Sequence, residues 1–90
     1  MNKERLRKLL DTEVSEWSQK TYDHLILQLP DVVAYERGDG ADFHQFEVQA
    51  LERTDAYVHV SISIDDGGLW RFISPITTSF VVYRDGRVDK

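Results

Sequence analysis

Residues 57–68 read YVHVSISIDDGG, and this stretch decides the fold. Apolar and polar residues alternate from Tyr57 to Ile64, which is the period of a half-buried β-strand. Two carboxylates and two glycines follow, and they could form a metal site, a catalytic pair or a turn. Adjacent carboxylates in a strand point to opposite faces and make a poor pair for one ion, whereas turns require Asp and Gly. We therefore predict a turn here, without metal ligands.

Residues 43–53, FHQFEVQALER, carry the same alternation and predict a strand that pairs with residues 56–64 across a loop at residues 54–56. The register that matches apolar residues pairs Ala50 with Val60, Val48 with Ile62 and Phe46 with Ile64. A slip by one residue would put Glu47 opposite Ile62, which is unfavourable. On the other face, this register sets His59 across from Leu51, Ser61 across from Gln49 and Ser63 across from Glu47.

Three more segments have strand character: residues 31–37, 69–74 and 78–84, the last of them turned back by Asp85-Gly86. A three-residue loop at 66–68 would pair Ile64 with Trp70 and Ile62 with Phe72. Gly68 then takes the left-handed position that this type of hairpin requires. We accordingly expect the strand at 69–74 to lie beside the strand at 56–64.

The N-terminal part predicts helix. Residues 3–19 place one apolar stripe on a helix, formed by Leu6, Leu9, Leu10, Val14 and Trp17. Thr21 is a candidate N-cap, Asp23 follows in the first turn and Pro30 ends the segment. Residues 22–28 are therefore either a second short helix or a kinked continuation of the first.

Together these patterns predict one α+β domain over residues 1–90, helical over 1–29 and an antiparallel sheet over 31–89. The fold class is two-layer, with an N-terminal helix or helix pair packed on one face of a 4-5-stranded antiparallel meander sheet. The core should form where Leu10, Val14 and Trp17 meet Val48, Ile62 and Trp70.

Composition narrows the classes of function. Hydrophobic residues make up 41% and charged residues 30% of the chain, which is an ordinary globular balance, and no cysteine is present. No apolar run reaches a membrane span or a signal peptide, so we expect a cytoplasmic protein and no membrane partner. Residues 1–8 hold four cations and one carboxylate, a net +3, which leaves −8 for the rest of the net −5. An acidic body argues against nucleic acid and favours a basic protein partner.

The polar face of the sheet is the candidate binding surface. Its predicted members with the strongest binding character are Glu47, Gln49, Tyr57, His59 and Arg71, and the same face carries Leu51, Arg53, Ser61 and Ser63. A serine, a histidine and a carboxylate on a flat, wet face lack an oxyanion hole, so we predict no catalytic residues.

Two other features, the histidines and a tripeptide, do not predict a site. His24, His44 and His59 have no spacing that makes them converge, so neither a metal nor a cofactor is expected. The tripeptide Arg-Gly-Asp at 37–39 resembles the integrin-recognition tripeptide, but its glycine is needed for a turn between strands, and three-residue matches are common by chance.

Two hypotheses of function remain. The first is a small interaction module that binds a protein, a basic one or a second copy as a homodimer, through the polar sheet face or an edge strand. The second is a small-ligand binder or minor enzyme with a pocket between helices and sheet. A flat patch with exposed aromatics such as Tyr57 or Tyr83 favours the first, and a concave pocket with inward polar groups favours the second.

Overall fold

The structure is a computed structural model that describes residues 3–66 and 76–90. Its helices and strands in chain order are α1 Lys3–Ser18, α2 Tyr22–Gln28, β1 Val33–Arg37, β2 His44–Arg53, β3 Tyr57–Asp65, β4 Ile76–Tyr83 and β5 Val88–Asp89. A single 3₁₀ turn, Gly40–Asp42, lies between β1 and β2.

α1 and α2 are separate helices, which decides between the two alternatives that the sequence left open. Thr21 stands between them in an extended conformation, and its side-chain Oγ1 accepts a hydrogen bond from the backbone N–H of His24 at 3.2 Å. This bond satisfies one of the N–H groups that a helix start leaves without a partner, so Thr21 is the predicted N-cap.

The strands of the described part form one antiparallel sheet in the order β1-β2-β3-β4-β5. Each strand lies beside its neighbour in sequence, which is the predicted meander. α1 packs against β3 and β4, and α2 packs against β3. The α+β fold class is therefore confirmed, with both helices packed on the sheet.

The predicted β2–β3 register is confirmed along most of its length. Phe46 pairs with Ile64, Val48 with Ile62 and Ala50 with Val60. Beyond Ala50 the register shifts by one residue at a β-bulge, so Glu52 pairs with His59 and Arg53 with Val58. The predicted pairing of His59 with Leu51 is wrong because Leu51 is the extra residue of the bulge and pairs with no residue of β3.

The bulge also moves Arg53 to the other side of the sheet. Arg53 was expected on the polar face, but its partner Val58 is fully buried on the side that faces the helices. Its guanidinium Nη1 donates a hydrogen bond to the carbonyl oxygen of Leu29, the C-cap of α2, at 3.4 Å. The displaced side chain thus satisfies a carbonyl that the helix end would leave unpaired.

The partner of β3 on its second side differs from the prediction. Ile64 pairs with Ile76 and Ile62 with Thr78 in β4, so the expected pairs with Trp70 and Phe72 are wrong. Alternation fixes which face a residue takes but not which segment is the partner, and the sequence 76–83 offers the same alternation as 69–74. Except for Asp66, the loop predicted at 66–68 and the strand predicted at 69–74 lie outside the described ranges.

The last predicted strand is β4, and Asp85-Gly86 turns its end back as expected. The Gly86 N–H donates to the Tyr83 carbonyl at 3.0 Å, and Gly86 has a φ of +98°. The chain then adds β5, whose Val88 and Asp89 pair with Val82 and Val81.

The core lies between the helices and β2, β3 and β4. It combines α1, α2 and sheet residues in one cluster: Leu6, Leu10, Val14, Trp17, Leu25, Leu29, Phe46, Val48, Val58, Val60, Ile62, Ile64, Phe80 and Val82. Leu10, Val14 and Trp17 therefore meet Val48 and Ile62 as predicted, while Trp70 lies outside the described residues.

Replacing Trp17 with alanine should unfold most of the protein near room temperature. Trp17 is 8% exposed, and truncating a buried aromatic costs about 3–5 kcal/mol. A small domain has about 5–15 kcal/mol in total. Circular dichroism during thermal melting measures the effect. Leu27→Ala is the control, since Leu27 is 78% exposed and its loss should change little. Similar melting of the two variants would contradict the core described above.

Gly38→Ala should destabilise the fold more than Gly86→Ala. Both glycines have positive φ, which costs other residues about 1–2 kcal/mol. A Cβ on Gly38 would also lie 2.9 Å from the Asp42 carbonyl carbon, whereas a Cβ on Gly86 meets open space. Urea unfolding of the two variants compares the costs. Equal costs would show that the backbone around Asp42 yields easily.

Candidate functional site

The candidate site is the sheet face opposite the helices, which we call the outer face. Paired residues share a face, so the register assigns its members on β1 to β4: Ala34, Glu36, Gln45, Glu47, Gln49, Glu52, Tyr57, His59, Ser61, Ser63, Thr77, Ser79, Val81 and Tyr83. Both helices pack on the other side, against the buried residues of β3 and β4. The outer face is therefore a broad, mostly polar surface.

Four of the five predicted binding residues lie on this face. Glu47 pairs with Ser63, Gln49 with Ser61, Tyr57 with Tyr83 and His59 with Glu52. Arg71, the fifth, is outside the described residues. Glu47 and Gln49 are exposed, whereas Tyr57 and His59 are half-buried between their neighbours.

One end of the outer face carries a cluster that we call the aromatic corner: Glu52, Tyr57, Tyr83 and Arg87. The rings of Tyr57 and Tyr83 have centroids 5.9 Å apart, and the Arg87 guanidinium lies 4.4 Å from the Tyr83 ring centroid. The Tyr57 hydroxyl donates a hydrogen bond to the Glu52 carboxylate, and this bond raises the pKa of Tyr57. The corner thus presents two aromatic rings: Glu52 orients the hydroxyl of Tyr57, and the Arg87 guanidinium lies over the ring of Tyr83.

Arg87 is itself held in place by Asp85. The Arg87 backbone N–H donates to Asp85 Oδ1 at 3.1 Å, and the Arg87 Nε lies 3.0 Å from Asp85 Oδ2. The backbone hydrogen bond, followed by the charge of Arg87, holds the pKa of Asp85 below its ordinary value. The turn after β4 therefore aims a guanidinium at the tyrosine pair.

The middle of the outer face is lined by short hydroxyl side chains: Ser61, Ser63, Thr77 and Ser79. Ser63 and Thr77 are hydrogen-bonded to each other at 3.0 Å. Ser61, between Gln49 and Ser79 in the register, is only 4% exposed. These small residues make the centre of the face lower than the longer side chains around it, and Ser61 is nearly covered.

Between α1 and the edge strand β1 lies a cluster that the sequence analysis missed, which we call the tyrosine clamp: Glu13, Trp17, Tyr35 and Arg37. The Trp17 Nε1 donates to the Tyr35 hydroxyl at 2.9 Å, and that hydroxyl donates to Glu13 Oε2 at 2.6 Å. The Arg37 Nε lies 3.5 Å from Glu13 Oε1. Glu13 is only 5% exposed, and the hydrogen bond from Tyr35 and the ion pair with Arg37 offset the cost of burying its carboxylate.

The clamp changes the chemistry of Tyr35. Burial, together with the hydrogen bond to Glu13, raises the pKa of Tyr35 from 10.0 to about 12. A sequence signal for the clamp existed: Glu13 is three residues after Leu10 and four before Trp17, in the middle of the apolar stripe of α1. A carboxylate at that position must be buried with a partner.

A shallow depression of about 310 Å³ opens near β1, lined by Ala34, Tyr35, Glu36, Gln45, Phe46 and Glu47. Its volume is at the small end of ligand pockets. Three of the four residues that line it from the outer face, Glu36, Gln45 and Glu47, are acidic or amide side chains, so the depression suits a cationic group.

Within residues 3–66 and 76–90, no cluster of three or more His, Asp or Glu side chains is arranged to hold a metal ion. His44 is buried with its Nδ1 2.7 Å from the Asp42 carbonyl oxygen, and His59 lies on the outer face. None of the helices in the described ranges is long and apolar enough to cross a bilayer.

Comparison with known proteins adds no relative: the chain matches no protein-family model, no curated protein and no solved structure.

Tyr35 should make the protein less stable as the pH rises from 10 to 12. The folded state keeps the Tyr35 proton up to a pKa of about 12, whereas the unfolded chain releases it near 10.0. In this window the unfolded state binds fewer protons, so the free energy of unfolding falls with pH. Urea unfolding at several pH values measures the slope, with Tyr35→Phe as the control. The slope should be shallower in the variant, and equal slopes would contradict the raised pKa.

Proposed function

We propose that this protein is a small protein–protein interaction module that binds a protein partner through its outer face. The aromatic corner carries the proposal. Tyrosine and arginine are the residues that contribute most to binding energy at protein interfaces, and Tyr57, Tyr83 and Arg87 stand together at one end of a broad polar face. Their rings and guanidinium are already in contact, so little side-chain freedom would be lost on binding.

The rest of the face supports the same function. The hydroxyl row around Ser61 is low and polar, which suits the hydrogen-bonded and wet contacts of a non-obligate interface. Glu47 and Glu52 add negative charge to a chain with a net charge of −5. This charge attracts a basic protein, speeds encounter and repels phosphate backbones.

The alternative function, a ligand binder or minor enzyme with a pocket between helices and sheet, has less support. Apart from the tyrosine clamp, whose polar atoms are already paired with one another, the described side chains at the centre of that interface are apolar and tightly packed: Leu10, Leu25, Leu29, Val60 and Ile62 are at most 1% exposed. The depression described above opens beside the exposed carboxylates of the outer face instead.

Affinity capture from a lysate of the native cells, with the protein immobilised, tests the proposal. A basic protein should be enriched by the wild type, and its capture should weaken with added salt because exposed charges are screened. The double variant Tyr57→Ala, Tyr83→Ala should lower the affinity for that protein by roughly thirtyfold, the loss typical of a hot-spot residue.

Leu27→Ala is the matched control, because it removes an exposed apolar side chain on the helical layer and leaves the outer face unchanged. Circular dichroism confirms that each variant is folded. If nothing is enriched, or if the tyrosine variant captures the partner as well as the control does, the outer face is not the binding surface.

A further inference from the structure

The two edges of the sheet differ. One edge is β5, which has only two residues and pairs with the end of β4. The other is β1, whose five residues pair with β2 on one side and, within the described ranges, with no strand on the other. Proteins usually guard an edge by keeping it short or by adding proline, lysine or a bulge. β5 is protected by being short, whereas Val33–Arg37 contains no proline or lysine and pairs with β2 without a bulge. Its one cation, Arg37, is the last residue of the strand and is paired with the buried Glu13.

The tyrosine clamp ties β1 to α1. Tyr35, the central residue of β1, is tied to Trp17 and Glu13 of α1 by hydrogen bonds of 2.9 and 2.6 Å. Its ring also packs against Phe46, with centroids 5.4 Å apart. An edge strand held by these contacts on its helix side is ordered before a partner arrives, which lowers the entropic cost of adding a strand.

The carboxylates beside β1 indicate a basic partner. On the outer face Ala34 lies between Glu36, two residues along β1, and Glu47, its partner on β2. Ala34 is small, so a long side chain from an added strand could cross it towards Glu47, through the depression that these residues line. On the helix side, Val33 and Tyr35 offer half-buried apolar surface.

We propose that the edge of β1 that pairs with no described strand binds an extended segment of a basic partner protein, which adds to the sheet as a further strand. The segment alternates basic side chains, which meet Glu36 and Glu47, with apolar side chains, which meet Val33 and Tyr35. Backbone hydrogen bonds to β1 supply affinity and the alternation supplies specificity. This inference rests on the proposed function and names a second surface and a class of partner for it.

A second copy of the chain fits this edge less well. Two antiparallel β1 strands centred on Tyr35 would set Glu36 of each copy diagonally across from Glu36 of the other. They would also bring together two bodies of net charge −5. The two Glu36 carboxylates and the two acidic bodies would repel each other, so a basic partner is favoured over a homodimer.

A capped peptide of about ten residues that alternates lysine with valine is the probe, and a peptide of the same composition in two blocks is its control. Fluorescence anisotropy should show that the alternating peptide binds the full chain more tightly. Ala34→Lys, which fills the depression with a positive charge, should weaken binding on the order of tenfold. Leu27→Lys is the matched control, because it makes the same charge change at a side chain of α2 that is 78% exposed and lies on neither proposed surface, and it should leave affinity nearly unchanged.

N-methylation of the peptide tests the backbone bonds directly. Methyl groups on alternate residues block the N–H groups of one side of the strand, and the two possible sets block opposite sides. One set should abolish binding and the other should preserve it. Hydrogen exchange should slow at backbone amides of residues 33–37 when the unmodified peptide is bound.

Three results would overturn the inference. The first is no binding of the alternating peptide, and the second is equal binding of both methylated sets, which indicates attraction by charge alone. The third is a dimer of the free chain that Ala34→Lys dissociates, because the edge would then belong to a second copy. The alternating peptide can fail to bind while the double variant Tyr57→Ala, Tyr83→Ala still captures less of the partner protein than the wild type does. In that case the proposed function of the outer face stands without the β1 edge.

Discussion

The alternation of β3 is the constraint on which the rest of the structure depends. Its four core residues, Val58, Val60, Ile62 and Ile64, are at most 1% exposed, and both helices pack against this strand. Both long neighbours of β3 take their register from these residues. Because successive side chains alternate, burying this row also puts Tyr57, His59, Ser61 and Ser63 on the outer face. Core and candidate site are thus two sides of one strand.

Much of the fold could be predicted from the sequence alone, because the patterns of helices, caps and hairpins involve residues that are close together in the chain. The stripe of α1, the cap at Thr21 and the pairing of Val48 with Ile62 each follow from local spacing. The neighbour of β3 could not be predicted in the same way. A second downstream segment, Ile76–Tyr83, also alternates, and the pairing of Ile64 with Ile76 depends on long-range packing that a pattern does not contain.

The remaining differences come from single residues that break a pattern. Strict alternation would place Glu52 on the core side of the sheet and Arg53 on the outer face. The bulge at Leu51 reverses the two, so the Glu52 carboxylate becomes part of the aromatic corner. Glu13 breaks the apolar stripe of α1, and its role became clear only when β1 brought Tyr35 beside it. Both exceptions lie next to the surfaces proposed for binding, where local rules commonly give way to function.

The bulge at Leu51 also bears on the order in which the chain can fold. Arg53 reaches the Leu29 carbonyl only because the extra residue turns its side chain towards the helices, and the Tyr22 hydroxyl bonds the neighbouring Thr54 carbonyl at 2.5 Å. Both ends of α2 are therefore hydrogen-bonded to neighbouring residues where β2 turns into β3, more than twenty residues away in sequence. An isolated helix of seven residues is not stable in water. We thus expect α2 to form late, after the hairpin has closed and can receive it.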